Sequence, residues 1–90
     1  MTAGPYAVEF SSAAKRSLRR LPSRIVHAIV EFIAGPLAEN PERLSKPLRN
    51  ELEGARSARR GDYRVLLRID EAQHCILVLD INHRAHIYRT

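Results

Sequence analysis

The chain has 90 residues, 44% of them hydrophobic, which allows one compact core but not two, so we expect a single domain over residues 1–90 and exclude a disordered chain. No apolar run approaches the roughly 20 residues that cross a bilayer, and residues 1–10 lack the basic and apolar regions of a signal peptide, so we expect a cytoplasmic protein with no membrane partner. Fifteen Lys and Arg against ten Asp and Glu give a net charge of +5, and 13 of these cations are arginines, whose planar fork favours a partner rich in phosphate or carboxylate.

The N-terminal residues predict a short strand followed by a helix. Tyr6, Val8 and Phe10 alternate with Ala7 and Glu9, which is the period of a half-buried strand. The two serines that follow, at positions 11 and 12, can cap a helix. The apolar face of this helix is formed by residues three and four positions apart, namely Ala13, Ala14, Leu18 and Leu21.

A second helix is expected to begin at Leu21-Pro22, because proline is tolerated in the first turn of a helix. Its buried stripe consists of Ile25, Ile29, Phe32, Ile33 and Leu37. Gly35-Pro36 predicts the end of this helix, and Asn40-Pro41 predicts a second break before the polar segment at residues 42–50. We therefore interpret the first half as a strand followed by an antiparallel helical hairpin.

Three strands are predicted in the second half of the chain, over residues 55–60, 63–69 and 76–81. The first two are joined by a turn at Gly61-Asp62, and the last has the nearly continuous apolar run of a central strand. Alternation in the middle strand places Arg64 and Arg68 on the face away from the helices. The predicted fold is α+β in the order β-α-α-β-β-β, with the helical hairpin packed on a mostly antiparallel sheet.

Two groups of cations mark the candidate binding site. One lies in the first predicted strand pair and the other at the C-terminus: Arg56, Arg59, Arg60, Arg64 and Arg68, and then His83, Arg84, His86 and Arg89. If the last strand pairs with the middle one, residues 83–90 can fold over Arg64 and complete one electropositive pocket. Tyr88 would then offer an aromatic face for stacking a base. Arg60 and Arg68 are interpreted as surface residues.

Other kinds of chemistry find less support in the sequence. His83 and His86 are three positions apart, without the cysteines or carboxylates that would complete a metal site, so we predict neither a metal nor a cofactor. Cys75 lies in an apolar run, where we expect a core residue and not an activated thiolate. The aspartates of the second half fall at turns and strand ends, without the close acidic partner that a hydrolase with paired carboxylates requires.

Cleavage of RNA without a metal fits the residues that remain. In this reaction the substrate's own 2′-hydroxyl attacks the adjacent phosphate, which requires cations around the phosphorane and groups that move two protons. Arginines can stabilise the charge, while His83, His86 and Tyr88 are the available proton carriers.

A family likeness is carried by residues 46–48, 52–54, 59–66 and 83–88. The most specific parts are Gly-Asp-Tyr-Arg at residues 61–64 and, one strand later, His-Arg-Ala-His-Ile-Tyr at residues 83–88. These segments resemble the RelE/ParE superfamily of bacterial toxins, and most closely its RelE-like mRNA interferases. The resemblance implies a toxin of a type II toxin-antitoxin system. It further implies a ribosome-dependent endoribonuclease that enters the A site, cuts the mRNA there and is silenced by an acidic, RelB-like antitoxin.

The resemblance also implies roles for individual residues. Arg64 matches the arginine that stabilises the transition-state phosphate, Tyr88 a tyrosine proposed as base or stacking platform, and Arg84 an arginine that acts at the leaving group. Strongly active members carry two lysines where this chain has Ser57 and Arg59. Because arginine scarcely deprotonates, we assign proton transfer to one of the two C-terminal histidines. The expected catalytic residues are Arg59, Arg64, His83, Arg84, His86 and Tyr88, and the expected RNA-binding residues are Lys46, Arg49, Arg56 and Arg59.

Two alternatives remain open at this point. The first is a ParE-like inhibitor of the same fold, which poisons DNA gyrase and cleaves nothing. The C-terminal proton carriers favour the nuclease over this inhibitor. The second alternative is a basic binding module without toxic activity, whose cations serve only an acidic partner or ribosomal RNA.

Overall fold

A computed structural model describes residues 4–49 and 53–83 of the chain. Its elements in chain order are β1 (Ala7–Phe10), α1 (Ser12–Arg19), α2 (Ser23–Phe32), a π turn (Ile33–Leu37), β2 (Ser45–Pro47), β3 (Arg56–Arg60), β4 (Tyr63–Asp70) and β5 (Cys75–His83). The strands form one five-stranded sheet in the order β1-β5-β4-β3-β2, in which only the β1–β5 pair is parallel. The predicted α+β class with a mostly antiparallel sheet is confirmed. Within these residues no helix is long and apolar enough to span a bilayer.

The core lies between the helices and one face of the sheet. Ser11 caps α1 by accepting a hydrogen bond from the Ala14 amide at 3.0 Å. The largest fully buried side chains come from α2, the π turn, β4 and β5, and are Ile29, Ile33, Leu37, Val65, Leu67, Ile76 and Val78. Each contributes roughly 1.5–3 kcal/mol when removed from water. Val65 and Leu67 occupy alternate positions of β4 and face the helices. The β4 residues at the intervening positions therefore lie on the other side of the sheet, away from the helices, which we call the outer face.

The second helix does not end at Gly35-Pro36, where the sequence predicted its end. Pro36 lies inside the π turn, and helical backbone continues to Glu39. A proline ring removes one amide donor and crowds the carbonyl four positions earlier, which the wider π turn accommodates. Ile33 and Leu37 are both fully buried, so the helical path is held by core packing across the proline.

The prediction of four strands omitted β2, which pairs with β3 at the sheet edge. Residues 42–50 were interpreted as a polar segment without a strand; Pro47 is compatible with β2 because an edge position tolerates a residue without an amide donor. Arg56 stabilises this edge through hydrogen bonds. Its Nε donates to Ser45 Oγ at 2.7 Å, and its Nη2 donates to the carbonyls of Glu42 at 3.1 Å and Ser45 at 3.0 Å. The buried Ser45 hydroxyl donates in turn to the Pro41 carbonyl at 2.6 Å.

A bulge in β5 reverses the alternation of its side chains. Leu66 pairs with Asp80 but Leu67 pairs with Val78, so Leu79 is an extra residue on the β5 side. Strict alternation would have directed Asp80 into the core, where an ionised carboxylate is costly. Instead Ile81 is buried, and an Asp80 carboxylate oxygen accepts hydrogen bonds from Ser17 Oγ at 2.6 Å and the Ile81 amide at 2.8 Å.

Cys75 is not the core residue that the apolar run predicted. It is half-buried and pairs with Ala7 and Asp70, while the next residue, Ile76, takes the core-facing position. Burial raises the pKa of the Cys75 thiol, and the charges of Glu9 and Asp70 act in the same direction. The thiol is therefore protonated near neutral pH, as expected for a cysteine that is not a nucleophile.

Candidate functional site

Cations of three adjacent strands converge on the outer face. Arg59 of β3 lies directly opposite Arg64 of β4, and Lys46 of β2 lies opposite Ser57 of β3. The two pairs are neighbouring rows, because residues two positions apart on β3 share a face. They line a pocket of about 300 Å³, which we call the outer pocket and which is formed by Leu44, Lys46, Leu48, Ser57, Arg59 and Arg64.

The outer pocket concentrates positive charge that nothing in its lining neutralises. Its described lining contains no carboxylate, and like charges directly opposite in an antiparallel pair destabilise a sheet. The Nε atom of Arg64 is buried and has no hydrogen-bond partner among the described residues. A buried donor without a partner costs roughly 1–3 kcal/mol. A phosphate in the pocket would supply acceptor oxygens to Arg64 and reduce the repulsion between Arg59 and Arg64.

The walls of the outer pocket differ in character. Asn82 of β5 pairs with Arg64 on the side away from Arg59 but does not line this pocket. Leu44, the exposed large hydrophobic residue of the described chain at 38% accessibility, and the half-buried Leu48 form an apolar wall. Cations beside apolar surface suit a phosphate that is attached to a ring, because the ring covers the leucines while the arginines bind its charge.

Leu44 and Leu48 were not predicted as site residues. The signal for the leucines is present in the sequence, because Leu44, Lys46 and Leu48 recur every second position, as on one face of a strand. The polar composition of residues 42–50 outweighed this signal.

The structure does not bring all of the predicted residues to the outer pocket. Arg56 pairs with Leu67, which faces the core, and its guanidinium donates hydrogen bonds to Ser45 of β2 and to Glu42 in the turn before it. His83 pairs with Tyr63 and contacts its ring edge to face at a centroid distance of 5.1 Å. The bulge therefore directs His83 to the helix side of the sheet, away from Arg64. Arg49 is exposed just beyond β2.

The remaining predicted residues lie outside the described part of the chain. They are Arg84, His86 and Tyr88. We expected these residues to reach Arg64 only if the last strand lies beside the middle one. The pairing of β4 with β5 confirms that arrangement of the strands. That these residues complete the outer pocket stays a prediction.

The fold and the sequence are similar to those of known toxins. A family model described as "ParE toxin of type II toxin-antitoxin system, parDE" matches residues 8–88. The chain is 53% identical over 85 residues to toxin RelE of Mycobacterium tuberculosis, covering 94% of this chain and 88% of that protein. It is 52% identical over 85 residues to toxin RelG of the same organism, covering 94% of this chain and 98% of that protein. Its fold matches a chain of the toxin-antitoxin complex RelBE2 of M. tuberculosis with a TM-score of 0.88 and 49% identity, covering 93% and 97% of the two chains.

Proposed function

Because the chain belongs to the ParE toxin family of type II toxin-antitoxin systems, we propose that its toxic activity is ribosome-dependent cleavage of mRNA in the cytoplasm. The observation that carries this proposal is the outer pocket, where the buried Nε of Arg64 has no hydrogen-bond partner among residues 4–49 and 53–83 and lies beside the like charge of Arg59. Such a site is suited to a phosphate whose negative charge increases during a reaction.

The proposed reaction is an attack by the 2′-hydroxyl of one nucleotide on the phosphate that follows it. A new bond forms between O2′ and phosphorus, the bond from phosphorus to the 5′-oxygen of the next nucleotide breaks, and a proton passes from the 2′-hydroxyl to the leaving oxygen by way of the protein or water. Arg64 stabilises the phosphorane, while Arg59 and Lys46 hold the flanking phosphates. The wall of Leu44 and Leu48 packs against the nucleotide.

Proton transfer is assigned to residues beyond β5. Arginine is a poor carrier of protons in general, and Lys46, which lines the pocket, is exposed. His86 and Tyr88 are therefore the proposed proton carriers, with Arg84 at the leaving group.

The proposed inhibitor is an acidic, RelB-like antitoxin. The similar RelBE2 chain was solved as a toxin-antitoxin complex. A carboxylate-bearing segment that occupies the outer pocket would satisfy the same donors as the RNA phosphate and would exclude the substrate.

Inducible expression in bacteria, followed by primer extension on cellular mRNA, tests the proposed reaction. We expect growth arrest with cuts at defined codon positions for the natural chain, and a loss of cuts of about 10²–10³-fold for Arg64→Ala, as for removal of one transition-state donor. Arg68→Ala is the matched control, because Arg68 lies on the same strand and face but does not line the outer pocket. Cuts that persist undiminished in Arg64→Ala would refute the assignment.

Inhibition of DNA gyrase is the second candidate function. It is favoured by the family model, which describes the ParE toxin. Growth arrest with intact mRNA and broken chromosomes would support it over cleavage. Gyrase inhibition would also be insensitive to Tyr88→Phe, since a gyrase inhibitor needs no proton carrier.

A further inference from the structure

One wall of the outer pocket comes from β2 and the residues beside it, and this strand is attached to the sheet by few contacts. Lys46 belongs to β2, and Leu44 and Leu48 lie directly before and after it. The strand has only three residues and pairs with one neighbour, because it lies at the edge of the sheet. Pro47 has no amide hydrogen to donate. The position of Lys46 therefore depends on contacts beyond the strand pairing.

Hydrogen bonds of Ser45 and Arg56 supply such contacts. The Ser45 hydroxyl donates to the Pro41 carbonyl at 2.6 Å and accepts from Arg56 Nε at 2.7 Å. Arg56 Nη2 donates to the Ser45 carbonyl at 3.0 Å and to the Glu42 carbonyl at 3.1 Å. We call these four hydrogen bonds the Ser45–Arg56 network. The network links β2 both to β3 and to the turn that precedes β2.

The Ser45–Arg56 network lies on the other side of the sheet from the outer pocket. Ser45 is 6% accessible and pairs with Ala58, which belongs to the core. Alternation along the strand then places its neighbours Leu44 and Lys46 on the outer face, where both line the pocket. Ser45 itself does not line the pocket. Because Ser45 is buried and uncharged, it can affect a ligand in the outer pocket only through the position of the β2 backbone.

The other cations of the outer pocket are held by different contacts. Arg59 and Arg64 lie on β3 and β4 and pair directly with each other. In the proposed reaction Arg64 stabilises the phosphorane, whereas Lys46 holds a flanking phosphate. A shift of β2 is therefore expected to weaken the binding of the substrate and to leave the chemical step unchanged.

We propose that Ser45 is a positioning residue for the outer pocket. Through the Ser45–Arg56 network it holds Lys46 and the wall of Leu44 and Leu48 in place, and so determines how tightly the pocket binds a ligand that carries phosphate. The proposal rests on the proposed mRNA cleavage and deepens it, because it assigns a role in substrate binding to a buried residue that does not touch the substrate. Hydrogen bonds to phosphate are short and directional, so a shift of Lys46 by about 1 Å is enough to weaken binding.

The first test measures the affinity of the full chain for inorganic pyrophosphate by isothermal titration calorimetry. The variant is Ser45→Ala, which removes a buried hydroxyl without changing the charge of the protein. The matched control is Ser17→Ala, which removes a hydroxyl that donates to Asp80 at 2.6 Å and does not line the outer pocket. A third chain carries Lys46→Gln, alone and combined with Ser45→Ala. The titrations are run at a temperature at which circular dichroism shows every chain to be folded.

We expect Ser45→Ala to weaken pyrophosphate binding by about tenfold, as for the loss of one hydrogen bond to a charged group. Ser17→Ala should remain within about twofold of the natural chain, as for a distant and independent site. In the chain that already carries Lys46→Gln, the further effect of Ser45→Ala should fall to within about twofold, because the two residues act through one contact.

Three outcomes of the titration would overturn the proposal. The first is an unchanged affinity in Ser45→Ala. The second is an equal loss in the two serine variants, which would indicate a general loosening of the fold. The third is an effect of Ser45→Ala that persists in full beside Lys46→Gln, because Ser45 would then act through a group other than Lys46.

A second measurement separates this proposal from the proposed cleavage. In cleavage of mRNA on programmed ribosomes, we expect Ser45→Ala to raise KM and to leave kcat within about twofold of the natural chain. A variant that is merely less folded would lower kcat at unchanged KM, and that result would overturn the positioning role. If the natural chain produces no cuts at all, the proposed cleavage fails, and the pyrophosphate titration still decides whether Ser45 positions Lys46.

Discussion

Arg59→Gln is expected to stabilise the protein while weakening its hold on phosphate. Arg59 is exposed and lies directly opposite Arg64, and relief of a like-charge pair between strands is worth about 0.2–1 kcal/mol. For a chain of this size, that gain corresponds to a rise in Tm of about 1–6 °C. Thermal melts followed by circular dichroism at about 20 mM salt measure the effect. The rise should shrink at about 0.5 M salt, where exposed charges are screened.

The control for this experiment is Arg60→Gln, which removes the same charge one position along β3. Arg60 pairs with Tyr63 on the helix side of the sheet, so its loss leaves the Arg59–Arg64 repulsion in place. Inorganic phosphate should raise the Tm of the natural chain more than that of Arg59→Gln, because a ligand that binds the folded state more tightly stabilises it more at the same concentration. A Tm that falls in Arg59→Gln at low salt, or rises equally in Arg60→Gln, would show that repulsion between the two opposed arginines of the outer pocket does not destabilise the protein.

Three further predictions concern the framework of the site. Leu67→Ala should lower the free energy of unfolding by about 2–5 kcal/mol in urea titrations, because this side chain is fully buried; a loss below 1 kcal/mol would contradict the assigned core. Arg56→Ala should lower it by about 1–3 kcal/mol through lost hydrogen bonds to Glu42 and Ser45, and an RNA-binding defect at unchanged stability would contradict its structural assignment. The pKa of Tyr6 is raised above 10 because its phenol donates to Glu71 at 2.7 Å, so this stabilisation is complete below pH 10 and is lost as the pH rises through the folded-state pKa. The Tm difference between the natural chain and Tyr6→Phe should therefore be constant near neutrality and narrow at strongly alkaline pH, and a constant difference throughout would exclude the hydrogen bond as its source.

The strand half of the chain was predictable because local signals there agree with the tertiary fold. The Gly61-Asp62 turn, with Gly61 at a φ of +62°, connects two segments whose alternating pattern determines their register. The position of Arg64 on the outer face could therefore be predicted from the alternation of side chains along the strand. The pairing of β3 with β4 then places Arg59 opposite Arg64. This part of the site is encoded by residues close together in the sequence.

The errors share one physical origin, since in each case tertiary packing prevailed over a local signal. Gly35-Pro36 favoured a helix end, and the polar composition of residues 42–50 favoured no strand. The burial of Leu37 and the pairing available at the sheet edge nevertheless permitted both elements. His83 was expected beside Arg64, and uninterrupted alternation from Ile76 would have directed it there. The burial of Ile81 required the bulge in β5, which no local sequence pattern predicts.

The extra residue in β5 also determines how this chain is to be compared with its relatives. Because Leu79 is an extra residue, every later side chain of β5 lies on the opposite face of the sheet from the one predicted by regular alternation. Asn82 and His83 therefore lie on the faces that the other would occupy in an uninterrupted strand. A relative that lacks one residue at this point would display the opposite side chains on the outer face, even with identical residues after the strand. Equivalent catalytic groups in such proteins must be matched by the face of the sheet on which they lie, and not by their distance along the chain from Arg64.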